Sequence, residues 1–374
     1  MVRAVVLLAA VGLFTGVALA RDEPRVRRQL AFARLQSSSF GIAGIYDVHS
    51  CGAVCTSYKP RIFITNDGRS WREVTPQHML SELEDVLFST RLVGWVAAND
   101  CAAGKAFVYR TTNGGRTWRS AAVRATNCSA GSRLDLSFSD NKHGWLLNVF
   151  ENGNRASLER TRDGGKTWNE VNASAPLKGR IVFVTPRDGW LARSDFAGPQ
   201  QLYATRNGGR SWQRRPVAVP PGWRGAQLFP DAPTFFGNRG ILPVSLVRGK
   251  RTAVAFYVTS NGGRTWQQRA LRPVEFSILA SPNPFARYVP TGIATPSVWW
   301  IASGRTQSFI GITADAGHSW HVSTPSSLPS VASSEISAGD ARRAWLTTSQ
   351  QKSALYSTSD GGRTWRRLNL PPPS

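Results

Sequence analysis

Thr111-Thr112-Asn113-Gly114-Gly115-Arg116-Thr117-Trp118 is one of seven related octapeptides whose recurrence decides the fold of this chain. The others are ITNDGRSW ending at Trp71, TRDGGKTW at Trp168, TRNGGRSW at Trp212, TSNGGRTW at Trp266, TADAGHSW at Trp320 and TSDGGRTW at Trp365. Each reads as a hairpin turn. The third position (Asn66, Asn113, Asp163, Asn207, Asn261, Asp315, Asp360) can accept hydrogen bonds from nearby amides, and the glycines permit backbone angles that other residues resist. Alternating stretches such as Phe107-Val108-Tyr109-Arg110 precede the turn, and short polar stretches such as Trp71-Arg72-Glu73-Val74 follow it, so the tryptophan opens a strand.

A second element recurs upstream: VLFSTRLVGWVAA around Trp95, LSFSDNKHGWLLN around Trp145 and VFVTPRDGWLA around Trp190, with weaker copies at Gly240-Ile241, Val298-Trp299 and Ala344-Trp345. It reads as two strands joined by a turn just before Gly-Trp, giving four strands per unit. The octapeptide tryptophans are on average 49 residues apart, so seven units occupy nearly all of the chain beyond its first twenty residues. A four-stranded sheet cannot bury both faces alone, whereas sheets arranged radially bury each face against a neighbour. The expectation is an all-β, seven-bladed propeller of antiparallel four-stranded blades, forming a single domain over residues 21–374. An open solenoid usually has shorter repeats. Arg28–Gln36 is expected to add an outer strand that helps close the ring.

The octapeptides resemble the Asp-box, or BNR repeat, of sialidase-like propellers. Paired with the Gly-Trp element, they are similar to the BNR-like propellers grouped with photosystem II assembly and stability factors. That resemblance implies a mostly non-catalytic protein. The chain departs from the pattern at Ile64, where Ser or Thr is usual, and at Gly240-Ile241, which lacks the tryptophan.

Residues 1–20 read as an export signal, with Arg3 at a positive start, an apolar Ala4–Val17 stretch and Ala18-Leu19-Ala20 as a small-residue cleavage site. The expected location is therefore periplasmic or extracellular. Four cysteines in that compartment point to two disulfides, with three possible pairings. Cys101 falls in a loop between second and third strands and Cys128 in a loop between blades. Both loop types lie on one face, which favours Cys101–Cys128 and leaves Cys51 with Cys55. A continuous strand would hold the latter Cα atoms about 13 Å apart, so that pairing demands a turn through Gly52-Ala53-Val54. His49 beside them could complete a metal site, but an oxidised pair is the better reading. No metal or cofactor is expected.

Catalysis finds little support. The aspartates of the boxes are folding devices. A sialidase-like enzyme needs an arginine cluster, an acidic acid/base and a Tyr–Glu pair, and Pro60-Arg61-Ile62-Phe63 only superficially matches the expected motif before the first box. Tyr109, Tyr203, Tyr257 and Tyr356 precede boxes, leaving Tyr46, Tyr58 and Tyr288. A two-carboxylate glycoside hydrolase is the main alternative function, and it would need two acids roughly 5–9.5 Å apart. The unassigned acids include Asp47, Glu82, Glu84, Asp85, Asp100, Asp135, Glu151, Asp195, Asp231, Glu275 and Glu335. The dense run Glu82, Glu84, Asp85 is expected to be a solvated loop.

The charge points to an anionic partner or surface. The formal net charge is +23, and arginines outnumber lysines 39 to 7. The sixth octapeptide position is Arg69, Arg116, Lys166, Arg210, Arg264, His318 and Arg363, which seven-fold symmetry would arrange as a basic ring on one face. On the opposite face the longest loops lead to the blades carrying Trp266 and Trp320. They hold Trp223, Arg224, Phe229, Arg272, Phe285, Arg287 and Tyr288, a mixture suited to protein–protein contacts. The expected function is a monomeric, exported scaffold that binds a protein partner in an envelope or membrane complex. Charge-driven binding of anionic polysaccharide or a membrane surface is a further possibility, and nucleic acid is disfavoured by the location.

Overall fold

The computed structural model describes residues 26–50, 56–80, 82–100, 103–124, 133–150, 155–173, 179–193, 201–274, 289–304, 308–328, 334–348 and 354–370. They form seven antiparallel sheets, each made from one continuous stretch of chain and ordered sequentially from the inside outward. Blade 1 comprises Val26–Ser37, Phe40–Ser50, Thr56–Thr65 and Trp71–Glu73. The inner strands of blades 2, 3 and 4 are Glu82–Phe88, Arg133–Phe138 and Arg180–Phe183. Those of blades 6 and 7 are Thr291–Ile293 and Ser334–Ala338. In blade 5 the inner edge is split into Gln227–Pro230 and Thr234–Phe236, both paired with Arg239–Arg248, because Asp231-Ala232-Pro233 interrupts the ladder. The sheets are those of a seven-bladed propeller, and no helix occurs among the described residues.

Ring closure differs from the expectation. Val26–Ser37, which contains Arg28–Gln36, is the inner strand of blade 1 and not an outer one, and the last blade takes all four strands from the C-terminal stretch. Blades 7 and 1 meet side by side: Leu35 N–H donates to Ser337 Oγ at 2.8 Å, and Trp345 tilts against Trp71 with 5.6 Å between centroids. The acids Glu82, Glu84 and Asp85 also lie in a strand, the inner one of blade 2, and not in a solvated loop. A β-bulge between Leu83 and Asp85 disturbs the alternation that would have identified it.

Packing between blades explains both repeated motifs. Each Gly-Trp glycine lies opposite an inner-strand phenylalanine whose ring crosses it; a Cβ on Gly144 would sit 2.4 Å from Phe138, and one on Gly189 would sit 2.6 Å from Phe183. The Gly-Trp ring stacks on the next blade's phenylalanine, Trp95 on Phe138 and Trp145 on Phe183, both at 3.7 Å. The octapeptide tryptophans Trp168 and Trp212 meet those same phenylalanines edge-on. Trp95 and Trp145 also donate their Nε1–H groups to the Gly164 and Gly208 carbonyls in the next blade's turn. In blade 6 the pairing of Trp299 with Thr313 puts Trp299 at the glycine position and Trp300 at the tryptophan position, one residue on from Val298-Trp299.

Candidate functional site

The octapeptide turns are built by a threonine and an acceptor two residues later. In blade 3, Thr161 Oγ1 receives Gly165 N–H at 2.8 Å and donates to Asp163 Oδ1 at 2.7 Å, while Asp163 accepts from Lys166 N, Thr167 N and Thr167 Oγ1. Asn113, Asn207, Asn261, Asp315 and Asp360 occupy the same place. Blade 1 differs. Its turn is one residue shorter, so Thr65 and Asp67 take the two roles and Asn66 does not. Ile64 is thus an ordinary strand residue. The clustered hydrogen bonds hold the carboxyls of Asp67, Asp163 and Asp315 well below the usual range; for Asp163 they outweigh burial, which acts the other way. These groups accept bonds within their turns.

Antiparallel order places these turns at the same end of each blade as the turn between inner and second strands, and backbone bonds such as Gly164 N to Lys142 O and Gly208 N to Arg187 O tie the two together. The seven ring residues, Arg69, Arg116, Lys166, Arg210, Arg264, His318 and Arg363, are all exposed. The inner turns add a second set that sequence reasoning missed: Arg91, Lys142, Arg187, Arg239 and Arg342, likewise exposed. Their signal was a cation two to four residues before the Gly-Trp position in five of the blades. The box face therefore carries cations on both its inner and its outer turns.

The opposite-face candidates separate. Trp223 is buried at 4% exposure, with the Arg251 guanidinium over its ring at 4.9 Å, and Phe229 is buried in the inner strand of blade 5. Arg272 belongs to the outer strand Gln267–Pro273 and lies over Trp320, while Arg224 is exposed. Phe285, Arg287 and Tyr288 lie outside the described residues, as do Cys51, Cys55, Cys101 and Cys128. Loop-borne aromatics and core aromatics look alike in sequence, and burial distinguishes them.

Four of the unassigned acids, Asp85, Asp135, Asp231 and Glu335, are joined by Arg180 along the inner edges of their blades. Asp85 pairs with Ala97, Asp135 with Leu147, Arg180 with Ala192 and Glu335 with Thr347, and Asp231 N–H bonds the Pro243 carbonyl. These five charged residues share one level of the inner strands, each ten residues before its blade's Gly-Trp position, a spacing visible in the sequence once the blades are aligned. Asp85 Oδ2 accepts Leu136 N–H at 2.9 Å, and Asp135 Oδ2 accepts Ile181 N–H at 2.7 Å, so carboxylates satisfy amides on the unpaired edge of the next inner strand. Ser137 serves Phe183 N–H in the same manner, and Ser245, in the second strand of blade 5, accepts from Val289 N–H just ahead of the inner strand of blade 6. Arg34 reaches Asp85 at 3.3 Å. Arg180 stays charged against the effect of burial because Asp231, Asp135, Glu335 and Asp85 surround it. Burial raises Asp135 and Asp231, and it pushes Glu84 to about 7 with help from Glu82 and Asp85. Among the remaining candidates, Asp47 is buried between Arg28 and Arg61, and Arg61 also pairs with Glu73. Tyr46 exchanges hydrogen bonds with Leu83. No three His, Cys, Asp or Glu side chains among the described residues assemble a metal site.

A cleft opens on the box side between blades 3 and 4. It has a volume of about 450 Å³, and Arg160, Arg162, Asp163, Glu170 and Arg210 are among the residues lining it.

The sequence profile of the family described as photosynthesis system II assembly factor YCF48 matches residues 126–277. No curated protein matches the sequence. Among solved structures, YCF48 from Cyanidioschyzon merolae is 20% identical with a TM-score of 0.49, over 80% of this chain and 88% of that one. YCF48 bound to a D1 peptide is 18% identical with a TM-score of 0.47, over 76% of this chain and 82% of that one. A puromycin hydrolase is 10% identical with a TM-score of 0.58, over 94% of this chain and 54% of that one. At such identities the structural likeness concerns the fold. The chain is an Asp-box repeat propeller similar to the photosystem II assembly factor family.

Proposed function

We propose that this protein is an exported, non-catalytic propeller that docks an acidic segment of a protein partner on its box face and so supports assembly of a complex in the cell envelope. The observation that carries the reading is the double set of exposed cations on the inner and outer turns of that face. Such a surface steers anionic partners and fixes their orientation. The family profile over residues 126–277 supports an assembly role. The throat acids Asp85 and Asp135 accept amides of neighbouring blades, which favours a structural use of these carboxylates over hydrolysis. Arg3 and the apolar Ala4–Val17 stretch support export.

The test is affinity capture from host envelope extract at low and moderate salt, comparing wild type with an Arg91→Gln/Arg239→Gln/Arg342→Gln variant. A discrete protein retained by wild type at moderate salt and lost by the variant is the expected result. Recovery of anionic polymer alone, released by salt, would replace the scaffold with charge-driven adhesion. Hydrolysis of a glycan by wild type would overturn the non-catalytic reading.

A further inference from the structure

The seam between blades 7 and 1 differs from the other junctions by one missing residue. In blade 3 Thr161 Oγ1 receives the amide of Gly165, four residues on, whereas in blade 1 Thr65 Oγ1 receives that of Gly68, three residues on. The position held by Gly164 therefore has no counterpart in the first turn. Elsewhere that position has two duties. Its carbonyl takes the indole N–H of the preceding blade, Trp95 Nε1 to Gly164 at 2.8 Å and Trp145 Nε1 to Gly208 at 3.1 Å. Its amide donates to the inner turn of its own blade in all six other blades, as Gly164 N does to the Lys142 carbonyl and Gly361 N to the Arg342 carbonyl.

Without that residue, both of its partners are left over. Trp345, in the second strand of blade 7, is 4% exposed, and its indole N–H makes no hydrogen bond among the described residues. The Ser39 carbonyl, two residues before Gly41 as Lys142 is two before Gly144, receives Arg91 Nη2 at 3.5 Å in place of a backbone amide. Trp190 also lacks an indole partner, but there the acceptor residue is present and the Gly262 carbonyl takes Arg206 Nη2 at 3.4 Å instead. Beside the two leftover groups lies a cleft of about 320 Å³ on the box face, lined by Trp345, Ser39, Asn66 and Gly68 among others. Ser38 and Ser359 add hydroxyls which, like the Asn66 amide, make no side-chain hydrogen bond among the described residues. Arg343 also lines the cleft, with its Nη1 on the Ser38 carbonyl at 3.4 Å.

We propose that the seam cleft binds an acetamido sugar, an N-acetylated hexosamine residue of a glycan. In the other blades one residue spans the two groups, so a ligand has to bring an acceptor for Trp345 Nε1 and a donor for the Ser39 carbonyl within that span. A single secondary amide supplies both. Because a buried donor left unpaired is costly, an amide gains more here than it would on an open surface. The hydroxyl-rich lining then selects a sugar over a peptide. Ring hydroxyls beside the acetamido group can meet Ser38, Asn66, Ser359 and Arg343, which a peptide backbone would leave without partners. The volume lies at the small end of ligand pockets and suits one ring. This site goes beyond the docking of a protein proposed above. Arg91 borders it through Ser39, so the test leaves Arg91, Arg239 and Arg342 unchanged and does not depend on that docking.

The experiment is an NMR titration of the whole protein, isotope-labelled at its tryptophan indoles, with the methyl β-glycoside of N-acetylglucosamine. The Trp345 indole resonance, identified by its loss in Trp345→Phe, should shift saturably. Methyl β-glucoside, which lacks the acetamido group, should bind about tenfold more weakly or worse, having lost both amide contacts. Ser38→Ala/Ser359→Ala removes two unengaged hydroxyls and should weaken binding about tenfold with the fold intact. Inserting one glycine between Asp67 and Gly68 restores the full-length turn. The added carbonyl should then hold Trp345 Nε1, displace its resonance before any sugar is present, abolish the sugar-dependent shift and leave the unfolding temperature no lower than that of wild type. The proposal is overturned by no saturable shift in wild type, by equal affinity for methyl β-glucoside, or by unchanged binding in the insertion or the double serine variant. Tighter binding of N-acetylglycine N-methylamide than of the glycoside would likewise overturn it and assign the cleft to a peptide.

Discussion

Glu84 shows how ring geometry changes the chemistry of one side chain. It lies in the inner strand of blade 2, accepts Leu134 N–H at 3.3 Å, and has Glu82, Asp85 and Arg133 nearby. Burial is the main reason its carboxyl is pushed from 4.5 to about 7, and the two neighbouring acids add to it. Because the folded pKa is the higher one, the folded state holds the proton more tightly. The resulting stability is present in full below about pH 4.5 and is lost as pH rises through about 7. A shift of that size is worth at most about 3 kcal/mol, and access of solvent along the axis reduces it. The unfolding midpoint of wild type should fall between pH 5 and pH 8. Glu84→Gln keeps an acceptor for Leu134 and should flatten that fall; an equally steep decline in the variant would assign the pH dependence to Asp135 and Asp231, which are also raised.

At the scale of the element, blades are joined by a three-ring stack and not by their hydrogen-bond ladders. Phe183 is 3% exposed, stacks on Trp145 of blade 3 and receives Trp212 of its own blade edge-on. Phe183→Ala should cost roughly 3–5 kcal/mol, since it removes the shared ring and leaves a cavity between two blades. Thermal or denaturant unfolding measures this, and Phe32→Ala, at a half-buried site, should cost clearly less. The turns, the Gly-Trp strand pair and the blade count were legible in the sequence because each depends on local chemistry repeated at a fixed interval. The charged throat was harder to see, although each of its residues stands ten before a Gly-Trp position. Its carboxylates act on amides about 50 residues away in the next blade, and such pairings exist only once the ring is formed. The burial of Trp223 beneath Arg251 and the shortened first turn around Asp67 likewise depend on tertiary packing and on backbone length, which residue type does not report.

For the whole molecule the question is how a ring stays closed when its described residues exchange no strand between the first and last blades. Six blade junctions are also joined by the chain, whereas the junction of blade 7 with blade 1 depends on side-by-side contact. Trp345 is central to that contact. It is 4% exposed, packs with Ala43, Ile45 and Phe63 of blade 1, and lies so close to Gly41 that a Cβ there would sit 2.0 Å from its ring. Leu35 N–H to Ser337 Oγ and Arg343 to the Ser38 carbonyl add hydrogen bonds across the seam. Trp145 is an equally buried tryptophan at a junction that the chain spans, so the two residues differ chiefly in what else holds their blades together. Trp345→Ala and Trp145→Ala should each cost roughly 3–5 kcal/mol in global stability. Hydrogen exchange under native conditions should separate them. Trp345→Ala is expected to accelerate exchange selectively in Val26–Glu73 and Ser334–Leu368, because losing the seam lets blades 1 and 7 part while the other five remain packed. Trp145→Ala should leave those two blades protected and act around blades 3 and 4. Uniform acceleration through all seven blades in Trp345→Ala would mean that the ring opens only by global unfolding, and that the seam is no weaker than the junctions the chain already spans.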